Sequence, residues 1–195
     1  MATTSNDIAN QAIQYTGNNQ ASVQGFYPNF DNNNTTLGKI LNRIYGPCVQ
    51  TVGREFGWDF ARNIVALTPS GNVGPFGPAG SFAFEYLYPT NGVQVWQLFP
   101  AALADPNNPL PITWNVGNAI VAAVQVKVIW TSQAAARAAY NNNPNEGTWD
   151  PGFREAVVRL LASELAMAGA GKPDLAQSLV ESGSGFEQVA EQRTD

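Results

Sequence analysis

Paired carboxylates are the catalytic arrangement that this sequence leaves open. Two carboxylates that meet in a cleft hydrolyse glycosidic bonds, one as the proton donor and the other as a base or nucleophile. Acidic residues also cap helices and face solvent, and we expect that second role to dominate here. The candidates are Glu55, Asp59, Glu85, Glu155 and Glu164.

Other catalytic chemistry is excluded by what the chain lacks. It has no histidine and one cysteine, Cys48. Without histidine there is no Ser-His-Asp or Cys-His arrangement, and a single thiol cannot form a zinc-thiolate cluster. Cys48 falls on the apolar face of a predicted helix, which indicates a small buried side chain rather than a reactive thiol. We therefore predict no catalytic residue, no cofactor, no metal and no enzymatic activity.

The aromatic residues, 11% of the chain with five tryptophans, admit two interpretations. They could line a carbohydrate-binding face. Their placement beside turns and at alternating strand positions instead favours core packing and contacts between subunits.

Charge is scarce and its balance is acidic. Charged residues make up 13% of the 195 residues, about half the usual share. Such a surface tolerates burial against neighbouring subunits. The net charge of −5, with no cluster of basic residues along the sequence, argues against an isolated nucleic-acid binder.

Apolar periodicity predicts three main helices. One is capped by Ser5 or Asn6 and runs to about Thr16. A second starts near Thr35 or Thr36, and Gly46-Pro47 should kink it or split it in two. The third opens with Asp150 as N-cap and Pro151 as its first residue.

Extended segments lie between these helices. Phe82–Tyr88 and Val93–Leu98 predict a β-hairpin with an Asn91-Gly92 turn. Shorter strands are predicted between 112 and 130. The Ala-rich stretch 133–140 predicts one or two helical turns.

The second helix gives way to an extended segment at a corner formed by Trp58, Phe60 and Arg62. Gly57 is suited to end the helix. We predict that the aromatic rings are buried and that the Arg62 guanidinium satisfies carbonyls at the helix end.

The segment Trp58-Asp59-Phe60-Ala61-Arg62 resembles the head-to-tail adaptor (connector) proteins of tailed bacteriophages, of the tail tubular A and head-completion type, and the related adaptors of gene transfer particles. Further motifs occur in the family's order along most of the chain, and that order carries the resemblance. They are Asn10-Gln11-Ala12-Ile13, Phe84-Glu85-Tyr86-Leu87-Tyr88-Pro89, Val93-Gln94-Val95-Trp96 and Asp150-Pro151-Gly152-Phe153, which continues through Leu160–Ala166.

The resemblance implies an α+β fold: mainly a helical bundle (1–62 and 132–181) with an inserted small antiparallel β element (63–131) and an extended, flexible C-terminal tail (182–195). It implies a ring of twelve copies in the virion neck, made in the host cytoplasm. The ring binds the portal protein and a downstream tail or stopper protein, and DNA passes through it without sequence-specific binding. The tail would dock on the portal through Phe186, Val189, Gln192 and Arg193. A virion-associated peptidoglycan hydrolase or carbohydrate-binding protein is the alternative. No membrane partner is expected.

Overall fold

The structure, a computed structural model, describes residues 3–18, 20–55, 58–75, 82–100, 112–142, 145–170, 174 and 177–179. The chain divides into two compact units. The helical unit comprises 1–60 and 144–195, and the β unit comprises 61–143.

The described part of the helical unit contains three α-helices: α1 (Ser5–Tyr15), α2 (Thr36–Glu55) and α3 (Pro151–Leu165). Both α1 and α2 pack on α3. Their contacting faces carry apolar side chains at three- and four-residue spacing, as an amphipathic helix requires. The largest fully buried ones include Ile8, Leu41, Tyr45, Phe153 and Leu161.

Local capping sets where these helices begin. Thr4 precedes α1 and forms a capping box with Asp7, in which each side chain bonds the other residue's backbone N–H. Asp150 accepts a hydrogen bond from the Gly152 N–H at 2.7 Å and Pro151 is the first residue of α3. The predicted start of the third helix is thereby confirmed.

Helix α2 continues through Pro47 as one helix, so the expectation that it splits in two is wrong. A proline at this position leaves the carbonyl of Arg43 without its helical donor. Pro47 and Arg43 are both on the exposed side of the helix, where water satisfies that carbonyl.

The segment between α1 and α2 packs on its own unit. Val23 and Phe30 are buried, and Asn10 of α1 holds the Val23 backbone through hydrogen bonds to both its N–H and its carbonyl. Phe30 contacts the ring of Tyr45. The Asn-rich loop is therefore anchored by two buried side chains.

The β unit contains seven strands in two antiparallel sheets, counted over the described residues. Sheet A has the order β1-β7-β4 and sheet B the order β2-β3-β6-β5. The strands are β1 (Arg62–Ala66), β2 (Pro69–Val73), β3 (Phe84–Leu87), β4 (Gly92–Pro100), β5 (Trp114–Val121), β6 (Val124–Thr131) and β7 (Ala136–Asn142).

Both sheets contribute side chains to one core in this unit. Tyr86 of β3 and Ile129 of β6 cluster with Leu98 of β4 and Ala138 of β7. Strand β4 contributes Val95 and Leu98, three residues apart, because its pairing is interrupted between Val95 and Gln97. Burial of this shared core holds the two sheets together.

The expected fold class, mainly a helical bundle with a small β element, is wrong. The protein is a sheet-rich α+β fold whose two antiparallel sheets are built from seven described strands. The stretch 133–140, expected to be helical, contributes β7, which pairs with both β1 and β4. Pairing on two sides and burial of Ala136, Ala138 and Ala139 override the helix propensity of alanine.

The predicted hairpin of 82–88 with 93–98 is also wrong in its pairing. Strand β3 pairs with β2 and β6, whereas β4 pairs with β7 in the other sheet. Tyr86 and Val95 thus meet in the core rather than side by side in one sheet.

None of the described helices is long and apolar enough to cross a membrane.

Candidate functional site

The candidate carboxylates are separated into different environments, and Glu85 is the buried one. Its Oε1 accepts hydrogen bonds from the Ser70 hydroxyl (2.7 Å) and the Asn72 side-chain amide (2.9 Å), and its Oε2 accepts one from the Trp130 indole N–H (2.7 Å). These donors come from β2 and β6, on either side of β3. All three are uncharged, so the carboxylate is held by neutral dipoles.

Burial raises the pKa of Glu85, and the hydrogen bonds from Trp130, Ser70 and Asn72 outweigh it and hold the pKa below its usual range. A carboxyl that serves as a general acid needs the opposite, a raised pKa. Glu85 is therefore ionised at neutral pH and joins β2, β3 and β6.

Glu155 of α3 is also occupied. It accepts a hydrogen bond from the Tyr15 hydroxyl (2.9 Å) and forms an ion pair with Arg159 one turn away. It links α1 to α3. The remaining candidates, Glu55, Asp59 and Glu164, are exposed.

The aromatic residues of the predicted corner form a cluster in the helical unit. Trp58 is buried and its indole N–H donates to the carbonyl of Val52 at 2.9 Å. The ring of Phe153 contacts Trp58, Phe60 and Trp149 edge-on. The indole thus satisfies one carbonyl near the end of α2.

The other sequence-predicted site residues lie elsewhere. Arg62 begins β1 and is exposed. Phe186, Val189, Gln192 and Arg193 lie outside the described residues, as do Gly57 and the tail 182–195.

The thiol of Cys48 is buried. Burial, with a contribution from the charge of Glu164, raises its pKa to about 12. The described part of the chain places no group of three or more cysteine, aspartate or glutamate residues where they could hold a metal ion.

The surface of the β unit is almost free of charge. Of the chain's 25 charged residues, only five fall within 61–143. They are Arg62, Glu85, Asp105, Lys127 and Arg137. A typical segment of this length carries roughly four times as many. Charge depletion of this kind is typical of the centre of a protein interface.

The same unit exposes large apolar side chains. They are Val65, Val73, Phe84, Trp96, Ile120 and Val124. Single exposed apolar residues are ordinary, whereas several on an uncharged surface indicate a contact surface.

The most exposed part of this surface is the tip of the β5–β6 hairpin. Ile120 is 70% exposed and Val124 is 60% exposed. The five residues Ile120–Val124 are all apolar. Ala122 and Ala123 form the turn with φ values of 50° and 65°, the left-handed region that Asn-Gly normally supplies in two-residue hairpins. We call Ile120–Val124 the hairpin tip.

Strand β5 is the least protected edge of the two sheets. It pairs with β6 over eight residues without a bulge and carries neither charge nor proline. By contrast, the pairing of edge strand β4 is interrupted at two places, and edge strand β1 begins with Arg62. Bulges, charges and prolines are the usual protection of an edge against pairing with another chain. Strand β2 reaches this edge, where the Asn72 side-chain amide donates a hydrogen bond to the Ile120 carbonyl.

Sequence reasoning missed the hairpin tip because the turn has no Asn, Gly or Pro. The available signal was the run Ile120–Val124 itself, apolar residues without any turn former between two alternating strands. Comparison with protein-family models and with curated proteins gives no match to this chain.

Proposed function

We propose that this protein is a structural subunit of the neck of a tailed phage or gene transfer particle. It would form a ring that joins the portal to the tail and lets DNA pass through. It acts through contacts between subunits and catalyses no reaction. The observation that supports this most strongly is the charge-poor, partly apolar surface of the β unit.

That surface suits a second copy of the same chain. Each copy carries a net charge of −5, so copies repel one another wherever their charged surfaces approach. The hairpin tip and strand β5, residues 114–124, contain no charged side chain. Contact there buries apolar area without desolvating a charge.

The alternative as a hydrolase or carbohydrate-binding protein receives less support from the geometry. Glu85 has a lowered pKa and three neutral donors, and Glu155 is paired with Arg159. Two of the tryptophans also have structural partners: Trp58 is buried, and the Trp130 indole donates to Glu85.

The experiment is to mix the purified full chain with purified portal rings and examine the mixture by electron microscopy. We expect a collar of additional density on one end of each portal ring, and no release of products from peptidoglycan in a parallel assay. Portals that stay bare, or a glycan that is cleaved, would refute the proposal.

A truncated chain lacking 182–195 tests the proposed docking segment. Because a tail with two apolar residues has no core of its own, we expect the truncated protein to keep its melting temperature and to lose portal binding. Portal binding that persists would refute the docking role of Phe186, Val189, Gln192 and Arg193.

A further inference from the structure

Helix α2 presents a basic outer face. Its exposed side chains recur every three or four residues, and the one acid of α2, Glu55, is its last residue, about 100° around the helix axis from Arg54. Three of them, Lys39, Arg43 and Arg54, are cations. We call the exposed residues Thr36, Lys39, Arg43, Pro47, Gln50 and Arg54 the α2 outer face. We propose that this face binds the phosphate backbone of double-stranded DNA.

Helical geometry brings the three cations together. At about 100° per residue, Lys39, Arg43 and Arg54 fall within about 60° of one another around the helix axis. They extend over about 22 Å along it, at about 1.5 Å per residue. The sequence shows no basic cluster because two of these residues are eleven positions apart, which is close to three full turns.

The arrangement of Lys39 and Arg43 is unfavourable for the isolated helix, whereas Arg54 lies in the last turn, where the helix dipole favours a cation. An acid three or four residues from a cation stabilises a surface helix, and none of these three cations has such an acid. Lys39 and Arg43 are instead a like-charged pair at four-residue spacing, which destabilises a helix by a few tenths of a kcal/mol. Lys39 also lies near the N-terminus of α2, whose first turn contains no acid, where the helix dipole disfavours a cation.

Neighbouring acids do not relieve these charges within the described residues. The acid that precedes α2, Asp31, accepts hydrogen bonds from the Gln24 N–H and the Thr35 hydroxyl. The ion pair that the described structure contains joins Glu155 and Arg159 of α3. An external anion would therefore meet three cations that have no carboxylate within ion-pair distance in the described structure.

The composition of the face favours DNA over an acidic protein or a lipid surface. No large apolar side chain of α2 is exposed, whereas protein interfaces and membrane-binding helices bury apolar area. Duplex DNA carries one negative charge per about 1.7 Å of its axis. Phosphates therefore lie close enough together along the duplex for each of the three cations to reach one. The contacts would be to the backbone and without sequence preference.

The inference does not depend on the ring proposed above, because the α2 outer face belongs to one subunit. The net charge of −5 concerns the whole chain, while backbone binding depends on the local arrangement of cations. If a ring forms as proposed, the face would supply weak, reversible contacts for DNA near it.

The test is binding of a short fluorescent duplex of mixed sequence to the full chain, followed by anisotropy over a series of salt concentrations. Three phosphate contacts predict that log K falls against log salt with a slope of about −2.7. In the variant Lys39→Gln/Arg43→Gln we expect the slope to shrink to about −0.9. The control Arg62→Gln/Lys127→Gln removes two exposed cations of the β unit and should keep the slope of the unmodified chain.

Circular dichroism checks that each variant keeps its helix content, which is expected because the substituted side chains are exposed. Absence of salt-dependent binding by the unmodified chain would overturn the proposal. So would an equal loss in the control variant. Tighter binding of polyglutamate than of DNA at equal negative charge would also overturn it, in favour of an acidic protein partner.

Discussion

The indole N–H of Trp130 donates a hydrogen bond of 2.7 Å to the buried carboxylate of Glu85, its direct cross-strand neighbour in the β3–β6 pair. The same indole ring lies against Gly117 of β5, where the Cβ of any other residue would be too close to it. One side chain thus connects three strands of sheet B. The indole N–H bonds to a charged carboxylate, and the ring contacts the backbone of β5 at Gly117, where only glycine leaves enough space.

Removing the Trp130 donor should destabilise the protein. Trp130→Phe keeps an aromatic ring beside Gly117 and leaves the buried carboxylate with two donors instead of three. A lost hydrogen bond to a buried charged group costs about 1–3 kcal/mol, which chemical denaturation will measure. The double variant with Glu85→Gln supplies a coupling energy, expected to be at least about 0.5 kcal/mol. Additive effects of the two substitutions would show that the bond contributes nothing.

The lowered pKa of Glu85 predicts how stability depends on pH. Its folded-state pKa is below the usual 4.5, so its contribution is complete above pH 4.5 and is lost as the pH falls through the folded-state value. The free energy of unfolding of the unmodified chain should therefore decrease more steeply below pH 4.5 than that of Glu85→Gln.

The pKa of Asp7 is also lowered, mainly by the Thr4 side chain and then by the Thr4 backbone. Asp7 is present in the unmodified chain and in Glu85→Gln, so it affects the stability of both in the same way. The difference between the two pH profiles isolates Glu85. Parallel profiles would contradict its assigned role.

Trp58 tests the aromatic cluster at the end of α2. Trp58→Ala removes a buried ring from Phe60 and Phe153, and we expect a loss of about 3–5 kcal/mol. Trp58→Phe keeps the ring contact but removes the donor to the Val52 carbonyl, which should cost about 1 kcal/mol. Thermal melting distinguishes the two. Equal losses would mean that the hydrogen bond, and not the packing, dominates.

The turn of the hairpin tip offers a substitution that should stabilise the free subunit. A non-glycine residue with left-handed φ costs about 1–2 kcal/mol. Ala122→Asn/Ala123→Gly introduces the residues that this turn prefers. We expect the unfolding free energy to rise by about 1 kcal/mol. A decrease would contradict the left-handed turn.

Much of the helical unit could be predicted from the sequence because its signals are local. The Asp150 cap, Pro151 and the apolar stripes all act within a few residues, whereas the cap of the first helix is Thr4 and not Ser5 or Asn6 as predicted. Such signals specify where an element begins and which face is buried, without reference to distant parts of the chain.

Pairing in the β unit could not be predicted in the same way. Strands β3 and β4 are neighbours in sequence and belong to different sheets, while β1 pairs with β7 more than seventy residues later. Alternation predicts a strand but not its partner. For β7, the alanine-rich sequence indicated helix because its burial between β1 and β4 depends on residues far away. The α2 outer face was missed for a simpler reason, since its cations come together only around the helix.

The central claim, that copies of this chain meet through the uncharged strand β5 and hairpin tip of the β unit, is tested most directly by measuring assembly on portal rings. The variant Ile120→Lys/Val124→Lys places charge on the hairpin tip. The control Phe26→Lys changes a side chain of the helical unit that is 61% exposed. Ring occupancy is counted by electron microscopy. The account predicts that the unmodified chain and Phe26→Lys form complete collars and that the tip variant, though folded, does not. Collars formed equally well by the tip variant would contradict it.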